Sequence, residues 1–227
     1  MNWKNFVSFW RKTNNTHPVP EYYRHYQKNY SKPNWSGHII DQKFLVLDTE
    51  SGGLDPKKSS LLSIGAVTVI QMGFHTDEAI VLHLPNNAPQ NQEEVAIHGL
   101  VQNGSKTISI STALELLLPH LYDSILVGHN ILFDVALINR YLKLEGAGPL
   151  LNPCLNTALL ARRFDNPVDP GSLHSRDYTL DALCQRFGIE TFGRHTAEGD
   201  AYITALIFIM LTQRLIEKGI TTTGQLR

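Results

Sequence analysis

Two cysteines in 227 residues, Cys154 and Cys184, with no CxxC pair, exclude a zinc ribbon and a disulfide framework. A reducing compartment is the default for such a chain, and a cytoplasmic location is expected. Charge of one sign is lacking too. The formal net charge is −1, so no global basic field draws in a polyanion. Long hydrophobic runs are missing. The longest, Ala201 to Leu211, is too short to span a bilayer and reads as a buried helix. Near the start, the stretch from Trp3 to Trp10 is broken by Lys4, Asn5 and Ser8, so no secretory leader is visible. No membrane association is expected. Repeats and low-complexity tracts are absent. What is present is a 42% hydrophobic chain, enough for one domain with a real core and an appendage.

The few charges are unevenly spread. Residues 1–40 hold Lys4, Arg11, Lys12, Arg24, Lys28 and Lys32 against Glu21 alone, a net +5, and the remainder carries −6. The first 38 residues are rich in Trp, Tyr, Asn, Lys and Pro. Trp3, Phe6, Val7 and Trp10 fall on one face of a short helix. His17-Pro-Val-Pro breaks it, because proline removes a donor and restricts its predecessor. Glu21 to Lys28 fits a second short helix, and Pro33 to Gly37 reads as a linker. Residues 1–40 are therefore taken as a basic, aromatic-rich extension, 41–220 as the main domain and 221–227 as a tail.

Lys43 to Leu47 is a short apolar run that enters Asp-Thr-Glu and reads as a buried strand. Leu61 to Ile70 and Ala79 to Leu84 follow as two more, with connections short enough for an antiparallel meander. Thr112 to Tyr122 looks helical, Ile125 to Val127 is a short strand stopped by Gly128, and Leu132 to Leu144 is a helix. Leu155 to Arg163 is a strand or a strand running into a helix. Pro167, Pro170 and Gly171 make 164–177 a loop, and Leu180 to Phe187 and Ala197 to Ile216 are helices. Strands followed by alternating helix and strand predict an α/β domain with a mixed sheet and helices on both faces.

Three acidic motifs occupy strand ends and helix starts. In Asp48-Thr49-Glu50 the two acids are two residues apart and share one strand face. They repel unless a cation sits between them, and hard divalent cations such as Mg²⁺ or Mn²⁺ favour such oxygen ligands. Alone, a DxE is cheap and reads more simply as an acidic turn. In Val127-Gly-His-Asn-Ile-Leu-Phe-Asp134 the acid lies in the first turn of a helix, where the dipole favours it. In His195-Thr-Ala-Glu-Gly-Asp200 a histidine precedes a long apolar helix whose first turns carry Asp200. An imidazole at that mouth can overlie the carboxylate and serve as a general base.

Taken together, the motifs are specific. The chain resembles the DEDDh exonucleases over about residues 41–217, through LDTE, GHNILFD and HTAEGD. Gly53-Leu54, His98-Gly99 in AIHGL and Leu180 to Ile189 agree as well. A sister subtype has tyrosine four residues before the last Asp; here Thr196 stands there, and His195 lies five before. Asn156 departs from the family, where an Asp precedes the Thr; that position is not a metal ligand, and the change is expected to alter local hydrogen bonding near the site.

The resemblance implies a ribonuclease-H-like five-stranded mixed sheet flanked by helices, and 3′-to-5′ hydrolysis with two divalent cations, Mg²⁺ or Mn²⁺. It implies that Asp48, Glu50 and Asp200 hold the cation that activates water. Asp48 bridges to a second that Asp134 reaches directly or through water. His195 takes the proton from the attacking water. Thr49, through its backbone, Gly53 and Leu54 lie against the terminal sugar and base, and His98 and Phe133 line the same pocket. For Leu54 and Phe133 ordinary packing is the competing reading. His75, His83 and His120 read as surface or core residues, and His174 sits on a loop flanking the site.

The implied ligand is the 3′ end of a single strand, DNA ahead of RNA, although nothing in the motifs separates the two. A polymerase or other protein partner docked through residues 1–38 is a second reading. The same segment packing on its own domain is a third.

Overall fold

In a computed structural model the structure describes residues 18–85, 106–166 and 168–227. Trp3, Phe6, Val7, Trp10 and His98 therefore lie outside the described residues. The order of elements is α1 (Glu21–Asn29), β1 (Lys43–Ser51), β2 (Leu61–Ile70), β3 (Gly73–His83), α2 (Ile110–Leu117), β4 (Ser124–Gly128), α3 (Leu132–Leu144), β5 (Cys154–Asn156), α4 (Thr157–Asp165), α5 (Leu180–Phe187) and α6 (Ala197–Glu217). Five strands form one sheet in the order β3-β2-β1-β4-β5. The β1–β2 and β2–β3 pairs are antiparallel, and β1–β4 and β4–β5 are parallel. This is the mixed α/β sheet expected.

Period-two alternation along β1 builds two cores. Phe44 and Val46 face α4, α5 and α6, whereas Leu45 and Leu47 face α1, α2 and α3. The helix α6 is long and apolar enough to cross a membrane, but its apolar residues are spent on the first core, where Ile203, Ile207, Phe208 and Leu211 are buried.

Two elements differ from the sequence reading. Strand β3 starts at Gly73, six residues before the expected Ala79. The hairpin before it turns at Gln71 and Met72, both at positive φ (52° and 57°). Such a turn normally announces itself with Asn or Gly, and neither is there. The expected helix Thr112 to Tyr122 ends its α geometry at Leu117 and continues as a 3₁₀ turn over Leu118–Leu121, where Pro119 cannot donate to the ladder.

Described residues of the segment 18–40 pack on the domain that follows. Tyr23 and Tyr26 of α1 are buried in the second core. Tyr26 Oη donates to Asn152 Oδ1 at 2.5 Å and accepts from the Leu151 amide at 2.6 Å. Asn152 Nδ2 in turn donates to the Leu121 and Ser124 carbonyls, each at 2.7 Å, tying α1 to the start of β4. His38 bridges to Thr222, and Arg227 lies over the Trp35 ring at 3.7 Å, so the tail closes on the same segment. Tyr26→Phe removes the hydroxyl and leaves a partly buried amide and a buried acceptor without partners. The expected loss is on the order of 1–3 kcal/mol, read as a lower denaturant midpoint with an unchanged m-value.

Candidate active site

Strand β1 runs through its acidic end rather than stopping before it, so the alternation that builds the cores also sorts the site. Asp48 and Glu50 have the parity of Phe44 and Val46 and lie on the α6 side. Thr49 has the parity of Leu45 and Leu47 and lies on the α3 side. The carboxylates accordingly fall into two groups.

On the α6 side, Asp48, Glu50 and Asp200 each offer an oxygen within 4.8 Å of the others. A glycine makes this possible. Gly65 of β2 is the register partner of Asp48, and a Cβ there would stand 2.2 Å from the Ala197 carbonyl carbon. With no side chain at 65, the first turn of α6 rests directly on the sheet and carries Asp200 down to Asp48. The sequence signal was a lone glycine inside a β-pattern, which marks close backbone approach.

On the α3 side, Asp134 accepts at Oδ1 from the Thr49 amide at 2.9 Å and the Thr49 hydroxyl at 2.6 Å. It sits in the first turn of α3, as expected, and is buried. The Thr49 amide is therefore committed to Asp134 in this structure, not open to a nucleotide. Burial pushes the Asp134 carboxyl up to about 7, against the pull of the Thr49 bonds. Asp48 is raised well above the usual carboxylate range, first by burial and then by Asp134, Asp200 and Glu50. Buried, crowded carboxylates of this kind ionise more readily with a cation among them. Asp200 Oδ1 is buried with no hydrogen-bond partner among the described residues, as a ligand awaiting a cation would be.

Around an octahedral Mg²⁺ the oxygens sit at about 2.0–2.1 Å, hence up to about 4 Å from one another. A small closure of the three carboxylates would seat one, so the donor set fits a hard divalent cation.

His195 lies on the turn before α6 at φ +63°, and its imidazole is exposed. Among the described residues it makes no hydrogen bond to the carboxylates. The turn is held on both sides. Thr196 caps α6 by accepting from the Gly199 amide at 3.1 Å and donates to the Gly193 carbonyl at 2.8 Å. Gly199 is needed there, because a Cβ would meet the Gly193 oxygen at 1.9 Å.

Sequence reasoning missed the residue next door. Arg194 Nη1 donates to Asp200 Oδ2, and its Nε donates to Asp181 Oδ1 at 2.6 Å. That pairing holds Asp181 below the usual carboxylate range. A single arginine in a turn carries no pattern, so only the fold exposes this role.

Of the expected substrate contacts, Leu54 is 95% exposed beside the acidic strand end, and Phe133 is partly buried against the second core. Gly53 follows a bend in which Ser51 Oγ donates to its carbonyl at 2.7 Å. Asn156 accepts from the Ala158 amide as the cap of α4 and from the Asn130 amide at 3.1 Å, while its own amide reaches Asn130 Oδ1 at 3.4 Å. An Asp at 156 could only accept there, so the bond would have to run the other way, from Asn130 Nδ2. Asn130, Asn156, Arg162, Ser175, Arg176 and Thr179 border a groove of about 270 Å³ beside the second motif. His129, behind it, bonds to Thr157 Oγ1 at 3.0 Å and is pushed down to about 4 by burial and then by Arg194, so it stays neutral.

Comparisons with known proteins show the family. A family model described as exonuclease matches residues 45–208. The chain is 33% identical to DNA polymerase III subunit epsilon of Aquifex aeolicus, over 78% of this chain and 84% of that one. It is 32% identical to a PolC-type DNA polymerase III of Thermotoga maritima, over 82% of this chain but only 13% of that protein. Among solved structures, E. coli Exonuclease I in complex with a dT13 oligonucleotide matches with a TM-score of 0.64 at 18% identity, over 78% of this chain and 43% of that one. That last likeness speaks to the fold.

Proposed function

The chain belongs to the exonuclease family, in its DEDDh 3′-to-5′ group, and from this we propose that it trims the 3′ end of single-stranded or frayed DNA with two Mg²⁺ or Mn²⁺ ions held by its four carboxylates. The observation that carries the reading is the meeting of Asp48, Glu50 and Asp200 oxygens within 4.8 Å at a buried strand end.

In this reading Asp48, Glu50 and Asp200 hold one cation, and Asp48 with Asp134 the other. Bound there, the cations lower the pKa of water and neutralise charge on the departing 3′ oxygen. The protein's residues do the rest. His195 takes the proton of the attacking water. Exposed Leu54 wedges against the terminal base, and Phe133 lines its pocket. Gly53 lets the chain pass close to the sugar. The strand leading away runs its phosphates along the groove, where Arg176, Ser175 and Thr179 offer donors without reading bases. The basic segment 1–38 contributes phosphate contacts or docks a polymerase or other protein partner.

The test is a panel of labelled single and double strands of DNA and RNA with Mn²⁺. Shortening from the 3′ end is expected, fastest on single-stranded DNA, strongly slowed by a 3′-phosphate and abolished by EDTA. Equal cleavage of circular single strands, or full activity in EDTA, would remove this reading. The groove has its own check. Arg176→Ala should weaken binding alike on all sequences and flatten the salt dependence by about one phosphate's worth.

A further inference from the structure

We propose that Arg194 is a positioning residue for hydrolysis: tied at once to Asp181 and Asp200, it locks the turn that carries His195 onto the metal site. The inference rests on the proposed roles of His195 and Asp200.

Three observations converge on it. First, Arg194 bridges two helices at their first turns. Its Nε is bonded to Asp181 in α5 at 2.6 Å, and its Nη1 to Asp200 in α6. A guanidinium is a rigid planar fork, so two carboxylates held by different edges fix both its position and its orientation. The side chain is only 15% exposed, which limits screening of the pair by solvent. Second, the residue it carries is strained. His195 adopts φ +63°, a region that a non-glycine side chain occupies only when its surroundings over-determine it. On its far side the turn is fixed by the Thr196 cap and the Gly193–Gly199 contact. On its near side Arg194 is the fixing group. Third, Asp200 is divided between two tasks. Oδ2 is held by Arg194, and Oδ1 is buried without a partner among the described residues. One oxygen is thus kept by the protein while the other stays free for a cation.

The lock predicts an unusual dependence. Asp181 lies mostly exposed and outside the acidic cluster, yet its removal should be felt in turnover through His195. In full-length protein, Asp181→Asn should lower kcat about tenfold, as lost supporting contacts at metal sites do. KM and the Mn²⁺ dissociation constant, measured by calorimetry without nucleic acid, should stay within about twofold, as should the melting temperature within a degree or two. Arg194→Gln should lower kcat by up to about 100-fold, and the double variant should be no worse than Arg194→Gln, because both changes break one lock.

The deciding arm is the His195→Ala background. If Asp181 acts through the imidazole, Asp181→Asn has no further effect on kcat there. An equal loss in both backgrounds would show a general structural role and overturn the proposal. So would unchanged kcat in both lock variants, or Mn²⁺ binding more than about tenfold tighter in Arg194→Gln, the mark of an arginine that merely stands in for the cation. Wild-type turnover in His195→Ala alone would instead strike the underlying assignment of His195, and the lock with it.

Discussion

Asp48→Asn and Asp134→Asn should abolish strand shortening and, at the same time, make the metal-free protein more stable. For activity, a bound cation contributes several kcal/mol of transition-state stabilisation, so losing one of its carboxylates should cost roughly 10³-fold or more. For stability the sign follows from the carboxyl groups themselves. Asp48 and Asp134 are both held above the usual carboxylate range in the folded protein, Asp134 at about 7. A carboxyl raised on folding contributes stability that is complete below its unfolded value and is lost as pH rises through its folded one. For Asp134 that window runs from about 4 to about 7. His129, pushed down to about 4, titrates with the opposite sign over much of the same range. The informative quantity is therefore the difference in Tm between variant and wild type in EDTA, not the wild-type curve. For Asp134→Asn it should be near zero at pH 4 and grow to several degrees by pH 8. Asn keeps the Oδ1 that accepts from Thr49, so neither Thr49 donor is orphaned. Mn²⁺ should raise the Tm of the wild type and much less that of Asp48→Asn, since only a ligand that binds the folded state stabilises it. Asp200→Asn is left out of the stability claim, because it also breaks the ion pair with Arg194. A Tm difference that stays flat from pH 4 to 8 would show that burial does not hold the Asp134 carboxyl up in the folded protein.

These acids illustrate what a sequence of this kind discloses. Two residues apart on a strand, Asp48 and Glu50 had to share a face, and an acid in the first turn of α3 or α6 had to sit at a helix mouth. Those are local rules, and the structure follows them. Which face each carboxylate joins is a packing fact. It required knowing that α6 covers the Phe44–Val46 side and α3 the Leu45–Leu47 side. Asp134 therefore meets Thr49 while Asp200 meets Asp48, a division no spacing announces. The helices Leu132–Leu144 and Leu180–Phe187 were legible to the residue because their apolar periodicity ends at clear breakers. The hairpin at Gln71-Met72 was not, because its positive φ angles are borne by residues that do not ask for them. Asn156 was legible as a departure from the family at a position that is no metal ligand, but its partner was not, and the fold shows its amide joined to Asn130. Gly65 could have been read sooner, since a glycine inside an apolar strand usually marks something pressing against it.

His195→Ala should cost about 10²- to 10⁴-fold in turnover, the usual worth of a positioned general base, with little change in KM. The KM expectation follows from the division of labour, because the carboxylates and the Leu54 face that would grip the strand end are untouched. Alanine suits the test for a backbone reason. At φ +63° the cost comes from the Cβ, which His and Ala share, so the substitution removes the ring without reshaping the turn. His195→Asn supplies the complement. Asparagine tolerates left-handed backbone better than most residues and should hold the turn at least as well. Its amide cannot serve as a base at neutral pH, so it should be as slow as Ala while melting no lower than wild type. If shape were what His195 provides, Asn would keep the activity that Ala loses. The imidazole is exposed, so free imidazole added to His195→Ala can reach the vacated position. Part of the lost rate should return in proportion to its concentration. Raising the pH should help the Ala variant more than the wild type, since hydroxide can then take the proton that the ring no longer accepts. Wild-type turnover in His195→Ala, or an active His195→Asn, would take the imidazole out of the reaction and leave His195 as a turn residue only.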